Sequence, residues 1–571
     1  MKNKKNMKKQ RKSLQNFVSC FLLILASVLL FILEHPGFIL KNGFGLLAFF
    51  SYIPLLFAIK RCNVPYSALA GGVYGVLSYA LFGFWLGKYS VPGYLAVAAG
   101  YFFILAFVCV VLKICELLFP KNYWLVQWLV LVSYEFLKTL GFAGFNYGVS
   151  GYALWRYPFL IQVCDLCGIF GFSAFVIFPS FFIFGFVQKT LEKRSLIRKI
   201  ETDDELFEAN THIKSITTTE EKLNLCSRQS SVIAAIVWIF ALIFVLIYGK
   251  ASKKDYQDFP KVKVLAVQTN DDPWKNGVNA YAENLLNVTK LTDLALEINP
   301  DVDIVVWPET AIVPAIVYQY QSKKDSARYK IITYLLDFIN EKNAAFVIGN
   351  GHTVVSQNGA KKSDFNSALV FEPGKNVIPP EPYIYSKMHL VPFSETFPYE
   401  KQFPLLYKFL LERGNHMWTA GNEYTVFNVK GLSFSCPICY EDTFEENSRM
   451  MYKNGSRCFI NLSNDAWCHS IESQNQHLSM AVFRSVENRV PSVRSTASGQ
   501  TCFIDPNGKI LNMAEPFAAT YSIGEIPVLP PEQKETVSCR LGKFFGFLFV
   551  VLTCLLLLSK LIIAIIKKIR D

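Results

Sequence analysis

Long uncharged stretches decide what this chain can fold into. Residues 17–33, 44–59, 66–86, 94–119, 123–140, 159–187, 233–248 and 544–566 are each dominated by apolar side chains, and about 20 such residues in a helix cross a bilayer core. The pattern predicts about seven spans before residue 250 and about eight in all, with boundaries soft by several residues. With 52% hydrophobic residues and 49 Phe among 571, the chain is too apolar for a wholly soluble protein and too long for one ordinary domain. The first stretch lacks the small-residue cleavage pattern of a removable leader, so it reads as a permanent anchor.

The net charge of +12 does not spread over a nucleic-acid-binding face. It gathers at Lys2, Lys4, Lys5, Lys8, Lys9, Arg11 and Lys12, at Lys189, Lys193, Arg194, Arg198 and Lys199, and at Lys567, Lys568 and Arg570. All three clusters abut apolar stretches, as the excess of Lys and Arg in cytoplasmic loops requires. With a cytoplasmic amino terminus, the second, fourth and sixth spans end inside, beside Lys60 and Arg61, Lys121 and the second basic cluster. An odd number of spans then carries the polar region to the far side, and the last returns the tail to the cytoplasm. The expected division is a helical domain at 1–249 that includes a charged, Thr-rich cytoplasmic loop at 189–230. An extramembrane domain at 250–541 follows, then a span and basic tail at 542–571. The Gly-rich, aromatic stretch 141–157 suits either an interfacial belt or a re-entrant loop lining a lipid entrance. Glu135 and Lys138, three apart, can pair on one helix face.

The 14 cysteines do not form a disulfide framework, since Cys20, Cys109, Cys115, Cys164, Cys167 and Cys554 lie within apolar stretches. Cys164 and Cys167 form a CxxC without a second pair, and His389, His416, His469 and His477 have no metal-ligand spacing. There is no GxSxG elbow or phosphate loop. No metal and no cofactor are expected.

In the polar region, strand-like segments alternate with helix-like ones: KVKVLAVQTN, a helix at 278–297, DIVVWPET, a helix at 327–342, strands at 345–349 and 367–371, then RCFINLSNDAW, a helix through Gln476 and Val486, PSVRSTASG and YSIGEIPV. This alternation predicts an α/β domain. DPNG reads as a hairpin turn. On the helix after NLSNDAW, His477, Arg484, Glu487 and Arg489 are expected on a solvated face.

Three stretches carry chemistry. GLSFSCPICYEDT ends an apolar, strand-like run in Cys439, DIVVWPET delivers Glu309, and YSKMHLVPFSE supplies Lys387 and Glu395. A lone cysteine is usually inert core filling, Glu309 alone is a carboxylate after a proline, and Lys387 alone is a solvated lysine. Together they can work: a thiol with an ordinary pKa near about 8.5 needs a base to attack an acyl carbonyl, which Glu309 can be. Lys387 and the Tyr440 N–H can stabilise the oxyanion.

The order Glu309, Lys387, Cys439 resembles the nitrilase, or carbon-nitrogen hydrolase, superfamily. Combined with the spans, the chain resembles the apolipoprotein N-acyltransferase family over nearly its whole length, on WPET, K-x-H-L-V-P-F-x-E and ICYE. NLSNDAW, RSTASG and Pro273-Trp274 add to the likeness. The resemblance implies a multi-pass helical membrane domain joined to an α-β-β-α sandwich. It makes Glu309 the general base, Lys387 the stabilising lysine and Cys439 the nucleophile, with Trp274, Glu395, Tyr440 and Glu441 in support. Cys468 stands where an aromatic residue is more usual, as either a second thiol near the site or filler, and Ser394 replaces a frequent glycine.

The activity so implied takes an acyl chain from a phospholipid, typically phosphatidylethanolamine, onto Cys439. From there the chain passes to the α-amino group of a lipoprotein's diacylglyceryl cysteine, on the periplasmic side of the inner membrane. The enzyme is expected to act as a monomer. Residues 393–418 could form a lid that keeps water from the thioester, or a plainly packed helix. The rival readings are a membrane-tethered amidase or nitrilase, and a binding protein that reuses the domain.

Overall fold

The computed structural model describes residues 2–202, 232–271, 280–356 and 362–570. Among them, five helices are long and apolar enough to cross a membrane: Ser13–Glu34, Val91–Leu118, Cys164–Glu192, Val232–Ala251 and Phe544–Arg570. The other three expected spans take shorter forms. Residues 44–59 divide into a 3₁₀ turn, Gly45–Phe49, and a helix, Ile53–Arg61, with Pro54 in its first turn. Residues 66–86 become the Val64–Phe82 helix, capped by Asn63, and 123–140 become Tyr123–Leu137. Val64–Phe82 lies close against Val91–Leu118, because a Cβ at Gly71 or Gly75 would collide with the carbonyls of Leu105 and Tyr101. Small residues permit such approach where no water drives helices together.

The helix at the sixth expected span, Cys164–Thr202, is broken at Gly168, whose φ of 62° and ψ of −177° are not helical. It continues to Thr202, so the first part of the loop expected at 189–230 is helical; the remainder, from 203, lies outside the described residues.

Two sheets form the polar region. The larger has the order β12-β1-β2-β3-β4-β5, where β1 is Lys261–Gln268, β2 Ile304–Ile312, β3 Ala345–Val355, β4 Lys362–Phe371, β5 Tyr383–Ser386 and β12 Thr520–Pro527. β1, β2 and β3 run parallel, whereas β12 and β4 are antiparallel to their neighbours. The smaller has the order β11-β10-β9-β8, where β8 is Phe459–Ser463, β9 Ser492–Thr496, β10 Cys502–Ile504 and β11 Ile510–Leu511. A hairpin of β6, Phe427–Val429, and β7, Leu432–Phe434, stands apart.

Side-chain alternation builds the layers. Val264, Ala266, Ile304 and Val306 face Ile460, Leu462 and Val493 between the sheets. Leu265, Val267, Val305 and Trp307 turn the other way, onto the helices Tyr281–Ile298 and Ser326–Asn340. Both faces of the central strands are covered, which explains their near-continuous apolar runs.

The outer layer on the second sheet is Ile471–Asn488, and it corrects the expected solvated face. Every residue from Ser473 to Asn488 is buried, because Leu478, Val482, Phe483 and Val486 share one core with the membrane helices. Its charges survive burial by pairing. Arg484 Nη2 lies 2.9 Å from Glu487 and donates to Tyr152, while Arg489 lies 2.6 Å from Asp165 on the broken membrane helix. A polar helix face looks the same in sequence whether water or another layer covers it.

Glu135 and Lys138 serve different partners instead of each other. Glu135 accepts from Ser150 N–H at 3.1 Å and Ser150 Oγ at 2.6 Å; Lys138 donates to the carbonyls of Tyr147 and Gly148 at 3.0 and 2.9 Å. Both thereby tie down the stretch 141–157, which satisfies its irregular backbone inside protein.

Candidate active site

Each functional side chain sits where a strand ends or distorts. Glu309 lies in β2 where the register against β3 shifts between Trp307 and Ile312, and Thr310 after it has a φ of 50°. Lys387 directly follows β5, its amide donating to the Asn366 carbonyl at 2.8 Å. Cys439 opens a 3₁₀ turn, Cys439–Thr443, with a φ of 50°. The expected strand into Cys439 is shorter than its apolar run suggests. β7 ends at Phe434, and only the bridges Ser435–Phe459 and Ile438–Leu462 continue the pairing, since Pro437 has no N–H to offer. The positive φ turns the thiol off the strand line, a conformation costly for any residue but glycine.

The fold brings Glu309, Lys387 and Glu395 together. The Lys387 ammonium, fully buried, lies 2.9 Å from Glu395 and 3.5 Å from Glu309. Glu309 also accepts from Asn366 Nδ2 at 2.8 Å and from the Asn464 N–H at 2.9 Å. Asn366 and Asn464 escaped the sequence reading; Asn366 lies in the polar first half of β4, KSDFNS, where nothing in the sequence sets it apart. Cys439 joins this group through electrostatics with both neighbours. Burial pushes the Glu309 carboxyl up, Lys387 opposes this, Glu395 adds to it, and hydrogen bonds from Asn366 and Cys439 pull it back. Burial works against the Lys387 ammonium, but Glu395, Glu309 and Cys439 outweigh it and hold its pKa above the ordinary lysine value. Burial raises the Cys439 thiol well above its usual range, Glu309 adds to this and Lys387 opposes it. These surroundings favour the protonated thiol and the ammonium form of Lys387, and shift Glu309 toward accepting a proton.

Glu441 is fully buried and accepts from Ile438 N–H at 2.8 Å, Met388 N–H at 2.8 Å, His389 N–H at 3.0 Å and Tyr385 Oη at 2.8 Å. Tyr440 donates from its hydroxyl to the Gly144 carbonyl at 2.8 Å, and Asn146 donates to Thr443 at 3.2 Å, so the 141–157 stretch borders the site. Trp274 lies outside the described residues.

Cys468 is buried, its thiol pushed up to about 11 by burial. Filling is the role its environment fits. Cys164 and Cys167 are free thiols, and among the described residues no group of three or more His, Cys, Asp or Glu side chains is placed to hold a metal.

The 393–418 stretch carries the helix Pro404–Glu412, and plain packing does not account for it. Leu405 is 84% exposed, and Phe403, Leu406, Phe409 and Leu411 are also exposed. Its base is fixed by the Trp418 N–H on the Glu395 carbonyl, while Phe393 and Tyr399 meet Phe142 of the membrane domain.

Two stacked sheets clad by helices, with a thiol, an ammonium and a carboxylate at strand ends, define a nitrilase-like domain, here joined to membrane helices. Residues 265–529 match the carbon-nitrogen hydrolase family, and residues 18–182 match the apolipoprotein N-acyltransferase N-terminal domain. Apolipoprotein N-acyltransferase 1 of Treponema denticola is 36% identical over 564 residues, covering 96% of this chain and 98% of that protein. Its namesake from Treponema pallidum is 37% identical, covering 94% and 93% respectively. The apolipoprotein N-acyltransferase of Borreliella burgdorferi is 25% identical, covering 93% and 94%. The chain belongs to the apolipoprotein N-acyltransferase family.

Proposed function

We propose that this protein transfers a fatty acyl chain from a membrane phospholipid, through a thioester on Cys439, to the α-amino group of the diacylglyceryl cysteine that begins an apolipoprotein. The observation that carries this reading is the buried Lys387 ammonium held between Glu309 and Glu395 beside the Cys439 thiol. In the first half-reaction the Cys439 proton passes to Glu309 as sulfur attacks the ester carbonyl. Lys387 and the Tyr440 N–H take up the oxyanion charge, and loss of one such donor costs about 3 to 4 kcal/mol of barrier. The intermediate collapses, the C–O bond breaks, and the departing lysophospholipid oxygen recovers the proton from Glu309. In the second half-reaction the amine attacks the thioester, Glu309 accepts its proton, and the C–S bond breaks as that proton returns to sulfur.

Both substrates are lipids, so the thiol must sit just above the bilayer. About eight crossings, with a domain at 250–541 on the periplasmic side of the inner membrane between a helical domain at 1–249 and a returning span at 542–571, would put it there in a single chain acting alone. Phosphatidylethanolamine is the donor of choice in this reading. The apolar lid at 393–418 would shield the thioester until an amine arrives.

Incubation of the purified protein with phosphatidylethanolamine should leave a hydroxylamine-labile acyl group on the wild type and none on Cys439→Ala. Addition of a diacylglyceryl lipopeptide should then give an N-acylated product by mass spectrometry. Release of free fatty acid instead would identify a hydrolase and overturn the transfer.

A further inference from the structure

His477 projects from Ile471–Asn488 toward the turn that carries Cys439. Its Nε2 lies 2.6 Å from Asp442 Oδ1 and 3.1 Å from the Cys439 carbonyl oxygen. Its Nδ1 lies 3.6 Å from Asp465 Oδ1. Arg494, on β9, pairs with the other oxygen of Asp442, and its Nη2 is 3.5 Å from Nδ1. The charged groups facing the ring are thus Asp442 from the 3₁₀ turn, Asp465 from the segment after β8 and Arg494 from β9. Two carboxylates against one guanidinium leave room for one more positive charge. Burial opposes protonation of the ring, but Asp442 chiefly, with Asp465 beside it, prevails against Arg494 and raises the imidazole to about 9. In the protonated ring Nε2 donates to Asp442 and the Cys439 carbonyl, and Nδ1 carries its N–H toward Asp465.

The Cys439 carbonyl has a second donor, Asn461 Nδ2 at 3.3 Å. A peptide's C=O and N–H share one plane and point in opposite directions. Two donors on the Cys439 oxygen therefore set the direction of the Tyr440 N–H, and a charged donor on the oxygen polarises the group. The left-handed backbone of Cys439 needs such restraint to persist. None of these contacts reaches the acyl carbonyl itself.

We propose that the His477 imidazolium is a positioning residue for acyl transfer, aiming and polarising the Tyr440 N–H through the Cys439–Tyr440 peptide so that it meets the developing oxyanion. The inference rests on the reading of Cys439 as nucleophile. In effect His477 acts through a peptide and Lys387 acts directly.

The test measures formation of the hydroxylamine-labile acyl-enzyme by rapid quench, in the full-length protein with phosphatidylethanolamine in mixed micelles, across pH and donor concentration. His477→Gln, which keeps a neutral donor, should slow acylation about tenfold at saturating donor with the half-saturating concentration unchanged. His477→Leu should be slower still. The wild-type rate should fall as pH rises through about 9, and His477→Gln should lose that fall. Equal saturating rates in wild type and His477→Gln, a loss confined to the half-saturating concentration, or a wild-type rate that keeps rising through that pH each overturn the proposal. The wild-type profile decides the matter alone should the variants not fold. An acyl-enzyme that survives in Cys439→Ala would instead refute the nucleophile assignment, whatever the His477 variants do.

Discussion

Glu441 accepts the backbone N–H of Met388 at 2.8 Å, so the residue two places after the candidate nucleophile holds the residue next to the candidate lysine. The same carboxylate accepts the Ile438 N–H just before Cys439. One buried anion thereby couples two loops that lie 52 residues or more apart in sequence. Relative placement of thiol and ammonium follows from it.

Glu441→Gln should consequently damage both stability and chemistry. An amide presents its NH₂ to donors that need an acceptor, and a broken set of charged hydrogen bonds in the interior costs about 2 to 4 kcal/mol. A lowered unfolding midpoint, together with loss of acyl-enzyme formation, is the expected result; unchanged values in both would refute the coupling.

Glu395→Gln should make Glu309 a weaker base. Glu395 contributes to the raised carboxyl of Glu309, so its neutralisation lowers that pKa and leaves Lys387 to Glu309 alone. The acid limb of the acylation profile should move to lower pH, and the plateau rate should fall. A limb that stays in place would show that the two carboxylates do not communicate.

Leu405→Gln tests whether the helix Pro404–Glu412 acts as a lid. The side chain is 84% exposed, so thermal stability should change by no more than about 0.5 kcal/mol. Turnover of a vesicle-borne donor should nonetheless drop, and the hydrolysed fraction of the thioester should grow, if the apolar helix covers the site. Equal turnover and equal leakage would return the helix to a passive role.

The His477 cluster also predicts how stability follows pH. The folded-state imidazole is raised to about 9 from an unfolded value near about 6.5. A raised basic group stabilises fully below the unfolded pKa and loses that contribution as pH climbs through the folded one. The wild type should lose on the order of 3 kcal/mol between about pH 6.5 and 9. Denaturant unfolding of His477→Gln should show no such decline over that window.

Much of the α/β region was legible, because strand and helix periods survive in KVKVLAVQTN, DIVV and the helix at Ser326–Asn340. Glu309 and Cys439 stood out as candidates because each closes an apolar strand-like run, and Lys387 because of the run K-x-H-L-V-P-F-x-E. The spans were less legible at residues 44–59, where hydrophobicity persists through a backbone break at Phe50. Composition reports what a segment can be buried in, and hydrogen bonding decides where its helix ends.

By itself the amino-acid sequence determined that the chain enters a membrane and that an α/β domain follows, and it singled out Glu309, Lys387 and Cys439 as candidates for chemistry. Those properties are local, written in apolar runs, period and residue type. Only the tertiary structure decided that Asn366 and Asn464 brace Glu309, that Glu441 ties the Lys387 loop to the Cys439 turn, and that His477, Arg484, Glu487 and Arg489 are interior side chains. A polar side chain acquires such a role from what another element places opposite it, and that neighbour comes from a distant part of the chain.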